Sequence, residues 1–70
     1  MNIDKIKLYV KSFLGKDIRV LVNLGRNKEE SYVGKIEKLY PAVFTVRDGG
    51  LVKSYSYSDV MTKHVKLKEI

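Results

Sequence analysis

The N-terminal stretch arranges apolar and charged residues with the period of a helix. Apolar side chains recur every three or four positions over residues 3–14, and lysines occupy several positions between them. Asn2 can cap the first turn, and Gly15 can adopt the left-handed backbone that ends a helix. The pattern therefore predicts a helix over residues 3–14. Its apolar stripe consists of Ile3, Ile6, Tyr9, Val10, Phe13 and Leu14.

After Gly15 the apolar positions alternate with a period of two, and β-branched residues dominate. This pattern predicts strands at residues 17–24, 31–39, 42–47, 51–57 and 64–67. Polar turns separate them: residues 25–30 form one, and Asp48-Gly49-Gly50 is a strong hairpin signal. Residues 58–61 are expected to form one helical turn opened by a Ser or Asp cap. Gly34 interrupts the second strand and indicates a bend or bulge.

One helix followed by five short strands predicts a mainly β protein with one N-terminal helix, a small Sm-like or SH3-like five-stranded antiparallel barrel over residues 17–68. Closure would remove exposed sheet edges. The alternative is an open, highly curved sheet that packs on the helix. A chain of 70 residues is expected to form a single domain, residues 1–70. The predicted core consists of Ile6, Val10, Phe13, Val20, Val22, Ile36, Phe44, Val46, Val65 and Leu67.

The charge balance favours a negatively charged partner. Fourteen Lys and Arg against eight Asp and Glu give a net charge of +6. A positive field of that size on a small body favours nucleic acid, anionic lipid or an acidic protein surface. The alternative is that the lysines serve only to keep the protein soluble.

The sequence contains no cysteine, so neither a disulfide nor a thiolate-bound metal can support the small core. Good local packing or self-association, for example as a homodimer, is then the source of stability. Lys5, Lys7 and Lys11 interrupt the N-terminal apolar residues, and no apolar run has the length of a signal peptide or a membrane span. We therefore expect a cytoplasmic protein.

Few residues are candidates for catalysis. His64 is the single histidine, and it falls in the polar register of the last strand with Lys66 and Lys68. Possible partners close to it in sequence are Ser54, Ser56, Ser58 and Asp59. Alternating serines are ordinary on an edge strand, however, and so small a domain has little volume for a pocket. The carboxylates show no metal-ligand spacing. We expect a protein that is not an enzyme and that uses no cofactor and no metal.

Tyrosines interleaved with cations are a better candidate for binding. Small barrels hold single-stranded nucleic acid by stacking bases on aromatic rings and placing cations against phosphates. The same rings can instead pack in the core or its rim, and the register leaves open whether Tyr55 and Tyr57 are buried or exposed. Two further cations lie in the turn at residues 25–28. The predicted contact residues for nucleic acid or a protein partner are Arg26, Lys28, Lys35, Arg47, Tyr40 and Tyr55.

Two stretches resemble a known bacterial family. They are LGRNKEESYVGKIEKLYPAVFTV, which begins at Leu24, and VKSYSYSDVMTKHVKL, which begins at Val52. SYSYSDVMT is the most specific piece, and YPAVFTV is the next. Together with the helix they resemble the Veg family of biofilm-formation stimulators over nearly the whole chain. The resemblance implies a Gram-positive cytoplasm, a small barrel and a regulatory role in biofilm-related gene expression, and it supplies no catalytic motif.

The expected function is therefore a non-catalytic regulatory binding module. Nucleic acid bound through a basic face is the leading ligand, because the charge is strongly positive. The alternative is a protein–protein interaction module that binds a transcriptional regulator.

Overall fold

The computed structural model describes residues 2–70. The chain forms α1 (Ile3–Lys11), β1 (Asp17–Gly25), β2 (Lys28–Leu39), β3 (Val43–Asp48), β4 (Leu51–Ser56), α2 (Tyr57–Met61) and β5 (Val65–Glu69). The five strands make one antiparallel sheet in the order β4-β3-β2-β1-β5. The prediction of a mainly β protein with an N-terminal helix is confirmed. Neither helix between residues 2 and 70 has the length and apolar character that a bilayer crossing requires.

The sheet is not closed, so the predicted barrel is not confirmed. β4 and β5 are the two edges of the sheet, and no ladder joins them. α2 follows β4 and precedes β5, and it contacts both strands as well as α1. A short helix therefore lies where closure would need backbone hydrogen bonds between the edges. The arrangement agrees with the alternative of an open sheet packed on the helix.

The start of α1 agrees with the sequence, and its end does not. The Asn2 side chain accepts a hydrogen bond from the Lys5 backbone N–H at 3.0 Å, which satisfies a free donor of the first turn. The helix ends at Lys11 rather than at residue 14. Tight turns carry the chain from there to Gly15, whose φ is +78° and whose N–H donates to the Ile36 carbonyl at 3.1 Å. The turns keep Phe13 in the core although it lies beyond the helix.

The hairpin between β1 and β2 is tighter than the predicted polar turn. Only Arg26 and Asn27 separate the strands, and Asn27 has a φ of +53°, in the left-handed region that asparagine tolerates. Lys28 begins β2, and Glu29 and Glu30 pair with β1.

The helical turn predicted at residues 58–61 also starts earlier than expected, because α2 begins at Tyr57.

The predicted interruption of β2 is present but lies beyond Gly34. The ladder between β2 and β3 shifts register between Ile36 and Lys38, so Glu37 is the bulged residue. Gly34 pairs regularly with Ile18. It has a different role, because a Cβ at this position would lie 2.7 Å from Val46 Cγ1. Glycine is therefore needed for the close approach of the two strands.

The core lies between α1, α2 and one face of the sheet. Nine of the ten predicted core residues are buried, and Val22 is only partly buried at the margin. Ile18, Tyr57 and Val60 are also buried in the core, and they are absent from the predicted set. The buried apolar residues are Ile6, Val10, Phe13, Ile18, Val20, Ile36, Phe44, Val46, Tyr57, Val60, Val65 and Leu67.

Candidate functional site

The two faces of the sheet differ in what covers them. We call the face that packs on α1 the inner face and the opposite one the outer face. Successive residues of a strand point to opposite faces, so the core residues of each strand fix which neighbours lie outside. Lys35 and Arg47 alternate with the buried Ile36 and Val46, and both therefore lie on the outer face.

Register brings four cations together across the outer face. Lys35 and Arg47 are direct partners on β2 and β3. Arg19 and Lys68 are direct partners on β1 and β5. Arg19 on β1 pairs with the β2 residue two positions before Lys35. The two cation pairs therefore lie diagonally next to each other across β1 and β2. We call Arg19, Lys35, Arg47 and Lys68 the cationic band.

Carboxylates neutralise part of the band. Lys35 Nζ lies 4.0 Å from Asp17 Oδ1. The Arg47 guanidinium donates two hydrogen bonds to Glu37, one from Nε and one from Nη2 at 3.1 Å. Through these bonds Arg47 lowers the pKa of Glu37, and Glu37 raises the pKa of Arg47. Arg19 and Lys68 form no ion pair within residues 2–70, so they carry the unneutralised charge of the band.

The predicted contact residues do not form one cluster. Arg26 and Lys28 lie at the β1–β2 hairpin tip, and Lys35 is seven positions further along β2 than Lys28. At about 3.3 Å per residue, that is up to roughly 23 Å of strand. The predicted cations therefore form two separate pairs, Arg26 with Lys28 at the tip and Lys35 with Arg47 across β2 and β3. The prediction missed Arg19 and Lys68, because their proximity depends on the pairing of β1 with β5. The alternation that places Arg19 on the polar face of its strand was the available signal.

The two predicted tyrosines lie in different places. Tyr40 follows β2 and is 46% exposed, in a shallow groove of about 430 Å³ that Lys7, Leu8 and Lys11 also line. Tyr55 lies half-buried on the inner face, where its hydroxyl is 2.6 Å from that of Tyr32. Neither ring lies beside the cationic band.

Tyrosine hydroxyls on the inner face have internal partners. The Tyr57 ring is buried, and its hydroxyl donates to the Tyr40 carbonyl at 2.9 Å. Lys53 Nζ lies 4.1 Å from the centre of the Tyr32 ring, at the margin of the core. Burial, then the hydrogen bond with Tyr55, raises the pKa of Tyr32. Burial also raises the pKa of Tyr57. These rings are engaged in packing, and Tyr55 and Tyr57 belong to or adjoin the core.

A second cationic surface lies where α1, α2 and β5 meet. It is a groove of about 510 Å³ with an apolar floor and lysines at its rim. We call it the lysine groove. Its lining residues are Lys5, Ile6, Tyr9, Val60, Met61, Lys63, Val65, Lys66, Leu67 and Lys68. No carboxylate is among them, and Lys5, Lys63, Lys66 and Lys68 form no ion pair within the described residues.

The candidate catalytic residues His64 and Ser56 make hydrogen bonds to residues close to them in sequence. His64 is exposed, and its Nδ1 lies 2.7 Å from Thr62 Oγ1. Ser56 caps α2, since its hydroxyl accepts from the Asp59 N–H at 3.2 Å; the predicted cap was one of residues 58 and 59. Over residues 2–70, no group of three histidine or carboxylate side chains could hold a metal ion.

A comparison with curated proteins finds no match. A comparison with family models gives a match over residues 1–68 to the family described as biofilm formation stimulator VEG. The match extends over the helix, the sheet and both cationic surfaces, and it agrees with the resemblance seen in the sequence. The chain therefore belongs to the biofilm formation stimulator VEG family.

Proposed function

We propose that the chain is a non-catalytic, cytoplasmic regulatory module that affects biofilm-related gene expression by binding nucleic acid across the cationic band. The observation that carries the proposal is the register that aligns Arg47, Lys35, Arg19 and Lys68 across four adjacent strands. A row of cations on an uncovered sheet face matches the repeated charge of a phosphate backbone. Family membership supports the link to biofilm regulation.

Contacts to phosphates rather than stacking on bases are the expected mode of binding. The outer face of the strands carries no aromatic ring within residues 2–70, because Tyr32, Phe44 and Tyr55 all lie on the inner face. Phosphate contacts position a protein on nucleic acid without reading its sequence. We therefore expect affinity that depends strongly on salt and weakly on sequence.

Fluorescence anisotropy with labelled single-stranded RNA and duplex DNA tests this proposal. The affinity should fall linearly in log salt, and Arg19→Ala and Lys68→Ala should each reduce the slope by about one unit. The double charge reversal Arg19→Glu with Lys68→Glu should abolish binding. Arg26→Glu with Lys28→Glu is the matched control, because it changes the net charge equally at the distant hairpin tip. An equal loss of affinity in both variants would show that only the net charge matters and would refute the cationic band as the binding site.

A protein regulator is the second candidate partner, and the lysine groove favours it. An apolar floor with a charged rim resembles the centre and margin of protein interfaces more than a surface for a phosphate backbone. Pull-down from native cytosol with and without nuclease separates the two candidates. Capture of nucleic acid that nuclease removes supports the first candidate. A protein retained after nuclease treatment, together with no binding of RNA or DNA at low salt, supports the second.

A further inference from the structure

We infer that the chain forms a symmetric homodimer in which the α1 helices of two copies pack antiparallel through the helix face that carries Asp4, Leu8 and Lys11. We call this face, together with the adjoining Tyr40 and Pro41, the dimer face. The cationic band takes no part in the contact, so the dimer does not depend on the proposed function.

An apolar side chain projects from α1 on the side away from the core. Ile6 and Val10 are buried, and Leu8 is two positions from each, about 200° around the helix from either. Leu8 is 67% exposed. The neighbouring Lys7 turns towards the protein, because its Nζ lies 5.6 Å from the centre of the Tyr57 ring. A single copy of the chain therefore leaves this leucine in contact with water.

The apolar surface around Leu8 extends onto the corner between β2 and β3. Tyr40 is 46% exposed, Pro41 is exposed, and both line the same shallow groove as Leu8. Leucines that are exposed singly are ordinary on soluble proteins, whereas contiguous apolar patches mark interaction sites. The dimer face thus has an apolar centre that spans the helix and the corner.

Charge identifies a second copy of the chain as the partner. Asp4 and Lys11 lie about two turns apart on the same face of α1, about 10 Å along its axis, with Leu8 between them. Neither charged residue forms an ion pair within residues 2–70. A two-fold axis that passes beside Lys7 and Leu8 brings Asp4 of each copy opposite Lys11 of the other. The apolar centres then meet between two ion pairs.

The other flank of α1 does not offer this complementarity. Lys5 lines the lysine groove together with Lys63, Lys66 and Lys68, and no carboxylate is among the lining residues. Two copies that met there would place lysines against lysines, and like charges disfavour such a contact. Charge therefore directs self-association to the dimer face.

Asp4 and Lys11 also stabilise the helix itself. A carboxylate in the first turn and a cation in the last turn complement the helix dipole, and α1 has both. Exposed ion pairs add little affinity, but complementary charge fixes the register of an interface whose affinity comes from its apolar centre. We expect a dissociation constant in roughly the micromolar range, because the contact is small.

Dimerisation through α1 leaves the outer faces of both sheets uncovered, because each α1 packs on the inner face of its own sheet. The dimer would carry two cationic bands, one on each copy. Loss of nucleic-acid binding and loss of dimerisation are therefore separate results.

Sedimentation equilibrium of the whole chain tests the dimer. Wild type should shift from monomer to dimer as its concentration rises through roughly the micromolar range, and Leu8→Glu should raise the dissociation constant at least about tenfold. Leu51→Glu is the matched control on β4, because Leu51 is 64% exposed, and it should leave the dissociation constant unchanged. A wild type that remains monomeric at about 1 mM, or equal losses in the two variants, would overturn the inference.

A mixture of two charge variants tests the antiparallel register. Asp4→Lys alone and Lys11→Glu alone place like charges opposite each other at both ion pairs, and each should weaken dimerisation about tenfold. An equal mixture of the two variants restores complementary charge at both positions, so native mass spectrometry should show mainly the heterodimer. Each variant keeps its own altered helix dipole in the mixture, so an effect on helix stability alone would not be restored.

A control variant separates the contact from net charge. Lys28→Glu makes the same change in net charge as Lys11→Glu at the β1–β2 hairpin tip, and it should dimerise as wild type does. A mixture of Asp4→Lys with Lys11→Glu that dimerises no better than either variant alone would show that the two residues serve only the helix. That result, or an equal loss in Lys28→Glu and Lys11→Glu, would overturn the antiparallel contact.

Discussion

Gly34→Ala tests the close approach of β2 and β3, on which the alignment of Lys35 with Arg47 depends. The added Cβ would lie 2.7 Å from Val46 Cγ1 and 3.0 Å from the Arg47 carbonyl oxygen. Val46 is fully buried, and a β-branched side chain has few alternative rotamers. The carbonyl belongs to the backbone of a paired strand. Neither neighbour can move away at low cost.

Two opposing effects determine how much Gly34→Ala changes the stability of the protein. Alanine in place of glycine restricts the unfolded chain, which stabilises a protein by about 0.4–1 kcal/mol where the native backbone tolerates it. Overpacking a well-filled core costs about 1–3 kcal/mol. The close contacts should therefore outweigh the gain, and Gly34→Ala should lower the free energy of unfolding by about 1–2 kcal/mol. For a domain of this size, that lowers the melting temperature by roughly 5–15 °C.

Thermal and urea unfolding followed by circular dichroism measure the change. Gly50→Ala is the matched control, because a Cβ at Gly50 would meet no atom within 4 Å and its φ lies outside the left-handed region. Gly50→Ala should leave stability unchanged or raise it slightly. Val46→Ala removes the nearest atom, so the double variant Gly34→Ala/Val46→Ala should be more stable than the sum of the single changes predicts. A Gly34→Ala protein as stable as wild type, or strictly additive single changes, would refute the steric argument.

Three further changes test the core, the tyrosine cluster and the cationic band. Phe44→Ala should cost about 3–5 kcal/mol in urea unfolding, because the ring is fully buried, 5.5 Å from that of Tyr57. The raised pKa of Tyr32 should keep it protonated in the folded protein after ordinary tyrosines ionise near pH 10, so its contribution to stability is present below about pH 10 and lost above it. Alkaline absorbance titration of wild type against Tyr32→Phe measures this. Glu37→Gln frees Arg47 and should steepen the salt dependence of nucleic-acid binding by up to about one unit; an unchanged slope would exclude Arg47 from the contact.

The elements of this fold could be predicted from local periodicity, since each buries one face. Ile6 and Val10 recur at helical spacing, and Val65 and Leu67 recur at strand spacing, and all four are buried. The residue at which α1 ends is harder to predict. Phe13 continues the apolar stripe past Lys11, but tight turns rather than helix carry it into the core. Periodicity shows that a residue faces inwards and does not show which backbone brings it there.

Closure of the sheet depends on contacts that no local pattern contains. The local pattern predicts that Tyr57 ends a strand and that Val60 lies in a short turn, whereas both are core residues. They hold α2 against the core, between the two edge strands. A helix of five residues thus separates edges that a barrel would have joined.

The positions of the cationic surfaces likewise depend on strand pairing that no local sequence pattern contains. The sequence gives the total of +6 and the face of each strand on which a cation lies, but not which cations lack a carboxylate. Arg47 is one of the predicted contacts, and it is paired with Glu37, two positions beyond its cross-strand partner Lys35. Arg19 acquires its importance from Lys68, nearly fifty residues away, through the pairing of β1 with β5. Since attraction of an anion depends on unneutralised charge, the strand register, rather than the composition, determines where this protein can bind one.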